Sequence, residues 1–255
     1  MSITVAARGV VKRFDGKAVL RGADLDVPEG QSTVLVGPSS SGKSVLLKCL
    51  LGLLPMDAGH VRFGDADIAD LDAGGLERLM RDVGVLFQQN ALFDSLSVWE
   101  NVAFTLIHGQ GMGRRSARGR ALEVLASVGL KPDVADLSPA ELSGGMQKRV
   151  ALGRAIAAEP RFLVLDDPTA GLDPILTGTI VALIRSAIER SGATALTVTS
   201  DMAVARRGFD RLAMLHDGAI LWQGAAGDID ASDNAYLDQL INQRAQGPIR
   251  MRITA

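Results

Sequence analysis

The sequence is poor in cysteine, which limits the covalent chemistry available to the chain. Cys49 is the single cysteine among 255 residues, so an internal disulfide is excluded. A chain without disulfides fits a reducing compartment. We interpret Cys49 as a small buried apolar residue rather than a reactive thiol, because isolated cysteines behave mostly as small apolar side chains.

Further absences narrow the possible partners. The net charge is −2, so the chain lacks the overall positive charge of nucleic-acid binders, and we expect no nucleic-acid partner. No apolar run approaches the ~20 residues that span a bilayer, and the richest stretch, Val45 to Leu54, contains Lys48. The N-terminus lacks a basic region followed by an apolar one, so no signal peptide is predicted. Any membrane role is therefore expected to depend on a partner protein.

The order of the apolar segments predicts an α/β fold. Residues 3–36 form short strands separated by turns, and residues 161–199 alternate strand, helix and strand. Such alternation is typical of a parallel sheet covered by helices. Residues 97–158 instead repeat apolar side chains at helical spacing, which predicts a helical insert. Asp217-Gly218, between two apolar runs, predicts a β-hairpin.

The basic segment Gly113–Arg120 is predicted to be a solvated loop, with contact to anionic lipid headgroups as the alternative. It has no interleaved aromatic residues, which argues against nucleic-acid binding.

The C-terminal region is predicted to be separate from the main domain. We place the main domain at residues 1–227, with the helical insert at about 90–158, and a C-terminal helix and tail at 228–255. Asp233 is expected to cap a helix with Leu237, Leu240 and Ile241 on one face. After Gly247-Pro248, alternating apolar and polar residues predict an extended tail, either frayed or docked on another surface.

A phosphate-binding loop is the first chemical motif. Residues 37–44 fit the pattern G-x-x-x-x-G-K-[ST], with a strand before them and a helix after them. Backbone N–H groups of such a loop bind phosphate oxygens. Lys43 is predicted to reach the β- and γ-phosphates of ATP, and the Ser44 hydroxyl to ligate Mg²⁺. The nucleotide-binding residues predicted here are Gly37, Pro38, Ser39, Ser40, Ser41, Gly42, Lys43, Ser44 and Val45.

A second motif stands ahead of an apolar strand that ends in acids. The strand Phe162–Asp166 closes on a carboxylate that can hold Mg²⁺ through water. Before it lies Leu142–Gln147, with the sequence LSGGMQ. Ser143 is a good N-cap, and Gly144 and Gly145 allow backbone N–H groups to approach a phosphate closely.

With these motifs in this order, residues 3–225 resemble the ATP-binding subunit of ABC transporters. The resemblance implies a P-loop NTPase of the ABC ATPase fold, with a mainly parallel core sheet, an N-terminal antiparallel β part and a helical subdomain insert. It also implies that Ser143, Gly144, Gly145 and Gln147 face the γ-phosphate held by the loop of another subunit. A head-to-tail homodimer with two shared ATP sites is therefore expected.

Other site residues follow from the same resemblance. Phe14 is similar to the aromatic that stacks on adenine, with an ordinary core phenylalanine as the alternative. Gln88 resembles the glutamine that contacts Mg²⁺ and water, and Gln89 is the neighbouring alternative. The segment Ala170–Asp173 resembles the loop that reaches across the dimer, which places Asp173 at the nucleotide.

The sequence departs from the family pattern at two positions. Asp167 stands where the family usually has the glutamate that acts as general base, and Ser200 stands where a histidine usually holds the γ-phosphate. Misplacing a catalytic group by ~1 Å can cost roughly a hundredfold in rate. We expect ATP binding and dimer closure to be retained while hydrolysis is slowed. The alternative is a backbone shift that compensates for the shorter side chain of Asp167.

Residues Pro168–Ile175 resemble the Mce-associated, MlaF-like ATPases of lipid transporters, and the tail from Gln246 resembles the extension that wraps the partner ATPase in that subgroup. This implies phospholipid transport that maintains outer-membrane lipid asymmetry. The chain would sit peripherally on the cytoplasmic face of a bacterial inner membrane. The implied partners are a permease, an Mce substrate-binding protein and a small STAS-domain subunit. The alternatives are an importer ATPase for a polar solute and a non-transport clamp that dimerises on ATP.

Overall fold

A computed structural model describes residues 2–206 and 208–250. The chain forms two compact units. The signature unit contains residues 71–197 together with Ser2 and Ile3, and the loop unit contains residues 4–70 and the described residues from 198 onward.

The strands are β1 (Val5–Phe14), β2 (Lys17–Val27), β3 (Ser32–Val36), β4 (Ala58–Phe63), β5 (Ala66–Asp67), β6 (Val83–Leu86), β7 (Phe162–Asp166), β8 (Thr194–Val198), β9 (Arg211–His216) and β10 (Ala219–Ala225). The helices are α1 (Lys43–Leu50), α2 (Ala73–Arg81), α3 (Val98–His108), α4 (Arg114–Ser127), α5 (Gly144–Ile156), α6 (Pro174–Ser191), α7 (Met202–Ala205) and α8 (Ala235–Ile241).

The loop unit contains the predicted antiparallel β part. Its strands lie in the order β2-β1-β4-β5, and the β1–β2 register runs from Val5 opposite Val27 to Phe14 opposite Lys17. Alternate residues of β1 are buried, as expected for a strand with one face on a core. This part of the predicted fold is confirmed.

The loop unit also holds the strand that leads into the phosphate loop. All of β3 is buried, and β3 pairs in parallel with β9 from Thr33 opposite Arg211 to Val36 opposite Met214. Strand β10 pairs antiparallel with β9, so the hairpin predicted at Asp217-Gly218 is confirmed. Parallel strands with no exposed face are typical of α/β proteins.

The signature unit contains the predicted helical region. Strands β6 and β7 run parallel, with Val83 opposite Phe162 and Leu86 opposite Leu165, and β8 is the other neighbour of β7. Apolar side chains from α3, α4, α5 and α6 share one buried cluster with residues of these strands. The predicted helices exist, and helix burial of this kind supplies most of their stability.

The predicted basic loop is wrong, because Arg114–Arg120 form the first turns of α4. Arginine is a good helix former, and Ala117 is buried on the inner face of this helix. The outer charges have protein partners. Arg114 pairs with Glu100, and Arg118 lies 2.7 Å from a carboxylate oxygen of Asp136. The sequence suggested a loop because small alanines, rather than large apolar residues, mark the buried face.

Two predicted element ends also need correction. The cap of α8 is Asn234, not Asp233, because the Asn234 side chain accepts hydrogen bonds from the backbone N–H groups of Tyr236 and Leu237. The helix predicted to follow the phosphate loop, which we expected to run from Lys43 to about Leu53, ends at Leu50. Residues 251–255 lie outside the described residues, so the predicted alternation there stays a prediction. Within residues 2–206 and 208–250, no helix has the length and apolarity needed to cross a membrane.

Candidate functional site

The phosphate loop closes around its own lysine. The Lys43 ammonium donates hydrogen bonds to the carbonyl oxygens of Gly37, at 2.7 Å, and Pro38, at 2.9 Å. Lys43 is also the first residue of α1, with Gly42 as the preceding cap residue. The predicted lysine therefore lies across the loop at a helix N-terminus, which favours an anion.

Gly37 is required by the packing under this loop. A Cβ atom at Gly37 would lie 2.1 Å from the carbonyl oxygen of Leu215 in β9. Any side chain there would push the loop away from the strand that supports it. The first glycine of the motif thus allows the loop to pack closely against β9.

Ser41 carries a buried polar atom that suits a phosphate. Its hydroxyl is buried and makes no hydrogen bond within the described part of the chain. Buried hydroxyls normally have partners, so a ligand oxygen is a fitting acceptor. The loop residues Ser40 to Val45 line an open cavity of about 1000 Å³. The residues present therefore fit the phosphate chain of ATP.

Phe14 lies at the end of β1 with 44% of its surface exposed. The alternative of an ordinary core phenylalanine is therefore wrong. The Lys12 ammonium lies 5.6 Å from the centre of the Phe14 ring, and this cation–π contact supports the ring at the end of β1. An exposed, supported ring suits stacking, and its contact with adenine stays a prediction.

Ser200 follows β8 in the loop unit and is exposed. The Thr199 backbone N–H donates to the carbonyl oxygen of Leu35, at 3.1 Å. This hydrogen bond places Ser200 next to the carboxyl end of β3, where the phosphate loop begins. The Asp201 side chain caps α7 through the backbone N–H groups of Ala203 and Val204. The role of Ser200 toward the γ-phosphate stays a prediction.

Gln88 lies in an exposed turn directly after β6 in the signature unit. Its carbonyl oxygen accepts a hydrogen bond from the Lys148 ammonium, at 3.4 Å. Gln89 is exposed in the same turn, so the preference for Gln88 stays a prediction. The next residues are held by Arg154, which donates to the carbonyl oxygens of Asn90, at 2.8 Å, and Ala91, at 2.6 Å.

The two acids follow the buried strand as predicted. Asp166 is the last residue of β7, and Asp167 begins the turn after it. The backbone of Asp167 is left-handed, with φ of 47°, and its carbonyl oxygen accepts from the Ala170 N–H at 3.1 Å. Aspartate tolerates this conformation better than most residues. The turn therefore suits an aspartate at this position.

Lys148 is a residue that the sequence reasoning missed. Only 5% of it is exposed. Burial lowers its pKa below the ordinary value, while the nearby carboxylate of Asp167 opposes that shift. Lys148 thus lies between the backbone of Gln88 and the charge of Asp167. Its spacing from the buried residues Ala151 and Leu152 on α5 is the sequence signal that could have placed it inside.

The LSGGMQ segment opens α5 as predicted. The Ser143 hydroxyl accepts a hydrogen bond from the Met146 N–H, at 3.3 Å, so Ser143 is the N-cap. Gly144 is exposed, and a Cβ atom there would meet nothing within 4 Å. The exposed start of this helix is open to a ligand from outside the unit.

The other two residues predicted beside this patch have structural roles. The Gln147 side chain donates to the backbone carbonyl oxygens of Pro139, at 3.0 Å, and Leu142, at 3.4 Å. Asp173 caps α6, and its carboxylate accepts from the N–H groups of Ile175 and Leu176. These contacts hold the segments in place, and direct contact with nucleotide stays a prediction for both residues.

The predicted metal ligands have suitable chemistry. The Ser44 hydroxyl, the Gln88 amide oxygen and the Asp166 carboxylate are oxygen donors, which Mg²⁺ prefers. Within residues 2–206 and 208–250, no group of three or more His, Cys, Asp or Glu side chains could hold a metal ion.

Comparisons with known proteins agree with this chemistry. A family model described as ABC transporter matches residues 20–170. Protein TRIGALACTOSYLDIACYLGLYCEROL 3, chloroplastic, of Arabidopsis thaliana is 38% identical over 97% of this chain and 76% of its own length. The probable ribonucleotide transport ATP-binding protein mkl of Mycobacterium leprae is 36% identical over 98% of this chain and 72% of its own length.

A solved structure is similar as well. The dimeric, post-hydrolysis ATP-binding cassette MJ0796 bound to ADP and Pi has a TM-score of 0.79 and 34% identity, covering 87% of this chain and 98% of that chain. Fold and phosphate loop together define an α/β nucleotide hydrolase of the P-loop class. The chain belongs to the ABC transporter family, as its ATP-binding domain. It is an ATPase that uses ATP with Mg²⁺, in a family whose cassettes form dimers and associate with membrane permeases.

Proposed function

We propose that this chain is the ATP-hydrolysing subunit of an ABC transporter that moves phospholipid. The observation that carries the lipid part of the proposal is the similarity, over 97% of the chain, to a relative named for trigalactosyldiacylglycerol, which is a diacyl glycolipid. The resemblance of Pro168–Ile175 to lipid-transport ATPases supports the same class of substrate. The partners proposed are a permease, an Mce substrate-binding protein and a small STAS-domain subunit. The proposed location is the cytoplasmic face of a bacterial inner membrane.

The proposed chemistry assigns a role to each predicted residue. Lys43 and the N–H groups of Gly37–Ser44 bind the phosphates of ATP, and Phe14 stacks on adenine. Ser44, Gln88 and Asp166 hold Mg²⁺, which neutralises charge on the phosphates when bound. Asp167 accepts a proton from the attacking water, as a general base. Ser200 donates a hydrogen bond to the γ-phosphate.

A homodimer is part of the proposal. The start of α5 is exposed at Ser143 and Gly144, and a Cβ atom at Gly144 would meet nothing within 4 Å. Such a helix start binds phosphate well. Near it, Ile175 has 83% of its surface exposed beside Asp173, and exposed apolar side chains of this size favour burial in an interface. We propose that both segments face ATP bound by a second copy.

Slow hydrolysis is a further part of the proposal. The Asp167 side chain is one methylene shorter than glutamate, and Ser200 cannot carry the positive charge of a histidine. Both differences weaken stabilisation of the transition state.

Transport measured with matched substrates tests the proposed cargo. The assay uses the chain assembled with its permease in vesicles that contain a fluorescent phospholipid, with and without ATP. We expect ATP-dependent movement of the lipid, which Lys43→Ala abolishes. The second candidate, a polar solute, is favoured by the ribonucleotide named for the mkl relative. ATP-dependent movement of a labelled ribonucleotide, without movement of lipid, would overturn the lipid proposal.

A further inference from the structure

We propose that Pro248 and Arg250 of the C-terminal tail form part of the wall of the nucleotide cavity and that Arg250 is a further residue that contacts the phosphates of ATP. The inference rests on the proposed binding of ATP by the phosphate loop. The sequence alone predicted that the tail is either frayed or docked on another surface. The inference adds a contact between this tail and the ATP bound by the same chain.

The first observation is the lining of the cavity beside the phosphate loop. The cavity of about 1000 Å³ that contains Ser40 to Val45 is also lined by Tyr236, Pro248 and Arg250. Its charged lining residues are Lys17, Arg21, Lys43 and Arg250, with the opposite charge of Asp217. A concave surface with such an excess of positive charge concentrates anions. ATP is the anion that the phosphate loop is expected to bring there.

The β9–β10 hairpin connects the loop to this region. The Gly218 N–H donates to the carbonyl oxygen of Ser41, at 3.3 Å, and the Arg21 N–H donates to the carbonyl oxygen of Gly218, at 2.9 Å. The hairpin tip is thus hydrogen-bonded both to the phosphate loop and to β2. Any element packed on this tip has a fixed position relative to the loop.

Helix α8 is packed on that tip. The ring centres of His216, at the end of β9, and Tyr236, in the first turn of α8, lie 5.1 Å apart. At the cap of the helix, the Asn234 amide donates to the carbonyl oxygen of Leu221 in β10, at 3.1 Å. Leu237 is fully buried. The helix that carries the tail is therefore anchored to the hairpin by a ring contact, a hydrogen bond and apolar burial.

A buried glutamine then holds the tail against α8. Gln239 is 7% exposed. Its amide oxygen accepts from the Ile249 N–H at 2.7 Å, and its amide nitrogen donates to the Ile249 carbonyl oxygen at 3.2 Å. The same nitrogen donates to the Arg244 carbonyl oxygen, at 3.3 Å. Both backbone groups of Ile249 are satisfied by a single side chain, so Arg250 follows a fixed residue.

Gly247 allows this close packing. A Cβ atom at Gly247 would lie 2.3 Å from the amide oxygen of Gln239. A side chain at this position would displace either the tail or the Gln239 side chain, and both displacements disturb the hydrogen bonds that hold Ile249. The segment up to Arg250 is thus held against α8 of the loop unit, and Arg250 is exposed and lines the cavity. Guanidinium groups are the preferred partners of phosphate oxygens.

Steady-state ATPase kinetics of the full chain test the inference. We expect Arg250→Ala to raise the KM for ATP about 3- to 10-fold, as for loss of a partly exposed charge contact. We expect kcat to stay within about 2-fold, because a contact made equally in ground and transition states alters KM alone. Arg250→Lys should recover part of the loss. The KM difference should shrink at high salt, since screening weakens exposed charges.

Two further variants separate charge from position. Arg244→Ala is the matched control, because Arg244 pairs with Asp238 at 2.9 Å and does not line the cavity, and its KM should equal that of the parent. Gly247→Ala keeps Arg250 but displaces the tail, so it should raise KM as Arg250→Ala does. Thermal melting confirms that each variant is folded.

The phosphate loop itself provides the reference. If Lys43→Ala abolishes ATP binding while Arg250→Ala leaves KM unchanged at low salt, the inference about the tail is overturned and the proposed role of the loop stands. If Lys43→Ala binds ATP as the parent does, the proposed role of the loop is overturned instead. An equal rise of KM in Arg244→Ala and Arg250→Ala would also contradict the inference, because only Arg250 lines the cavity.

Discussion

At the scale of single residues, Lys148 is unusual because its charged side chain is almost fully buried. Burying an ammonium costs free energy, and burial lowers its pKa. Its hydrogen bond to the Gln88 carbonyl and its attraction to the Asp167 carboxylate offset part of that cost. A lysine kept here at a cost to stability suggests a role in positioning the two residues that flank it.

Replacing this lysine separates stability from activity. We expect Lys148→Met to keep or raise the melting temperature, because apolar groups of similar size often replace buried charges without loss. The rate of phosphate release should fall about 10-fold, because the Gln88 turn and Asp167 lose their shared support. Thermal melting and an ATPase assay measure the two effects. Lys131→Met, at an exposed lysine, is the control, and full activity of Lys148→Met would contradict the positioning role.

The chemistry of single residues was more predictable than their conformation. The motif placed Lys43 and Asp167 in the site because residue type and spacing encode charge. It could not give the left-handed backbone of Asp167, which depends on the turn that follows. Nor could it give the use of Gln147 to hold the segment from Pro139 to Leu142, because an amide serves a ligand or a backbone equally well.

At the scale of elements, helix α3 begins with a capping box that depends on ionisation. The Glu100 carboxylate accepts from the N–H and the hydroxyl of Ser97, at 3.0 and 2.9 Å, and it pairs with Arg114. The backbone hydrogen bond from Ser97, followed by the Arg114 contact, lowers the pKa of Glu100 from 4.5 to about 2. Reciprocal caps of this kind stabilise the first turn of a helix.

The lowered pKa predicts a defined pH window. Because the folded pKa lies below the ordinary value, the contribution is fully present above pH 4.5 and is lost as the pH falls toward 2. The free energy of unfolding of Glu100→Gln should therefore fall less steeply than that of the parent between these values. Denaturant titrations at a series of pH values measure the slopes. Parallel slopes for Glu100→Gln and the parent would contradict the assignment.

The basic segment and the ends of some elements could not be predicted from sequence patterns. The strand–loop–helix order around Gly37–Ser44 was predictable because the motif needs that context. The first turns of helix α4 were not, because their buried face is made of Ala117 and Ala121 rather than large apolar residues. We predicted Asp233 as the cap of α8, but the cap is Asn234. Both residue types cap well, and only the path of the backbone decides which one does so.

At the scale of the whole molecule, the proposed dimer gives a test that is independent of hydrolysis. Gly144 lies on the exposed start of α5, and a Cβ atom there meets nothing within 4 Å. We expect Gly144→Arg to fold as the parent does but to lose dimerisation with a non-hydrolysable ATP analogue, because a large side chain blocks the approach of phosphate to the helix start. Size-exclusion chromatography with light scattering measures the mass.

Gly119→Arg on α4 is the matched control, because that glycine is also open and lies outside the predicted site. It should dimerise like the parent. Dimerisation of Gly144→Arg at the parent level would refute the head-to-tail arrangement.

The family and the use of ATP could be predicted from the sequence, because a few short motifs in a fixed order specify both. The cavity wall formed by the tail could not, since it depends on contacts such as that of Gln239 with Ile249 that no local pattern encodes. The cargo also lies beyond the motifs. The predicted site residues face ATP and Mg²⁺ rather than the cargo.

The central proposal is that Asp167 acts as the general base, with a side chain one methylene shorter than glutamate. The rate of phosphate release by the purified chain, compared with Asp167→Asn and Asp167→Glu, tests this most directly. Removing a general base costs about 100-fold or more, so Asp167→Asn should be nearly inactive while it still binds ATP. Asp167→Glu should turn over faster than the parent, because the longer side chain restores the reach. Turnover of Asp167→Asn at the parent rate would contradict the account.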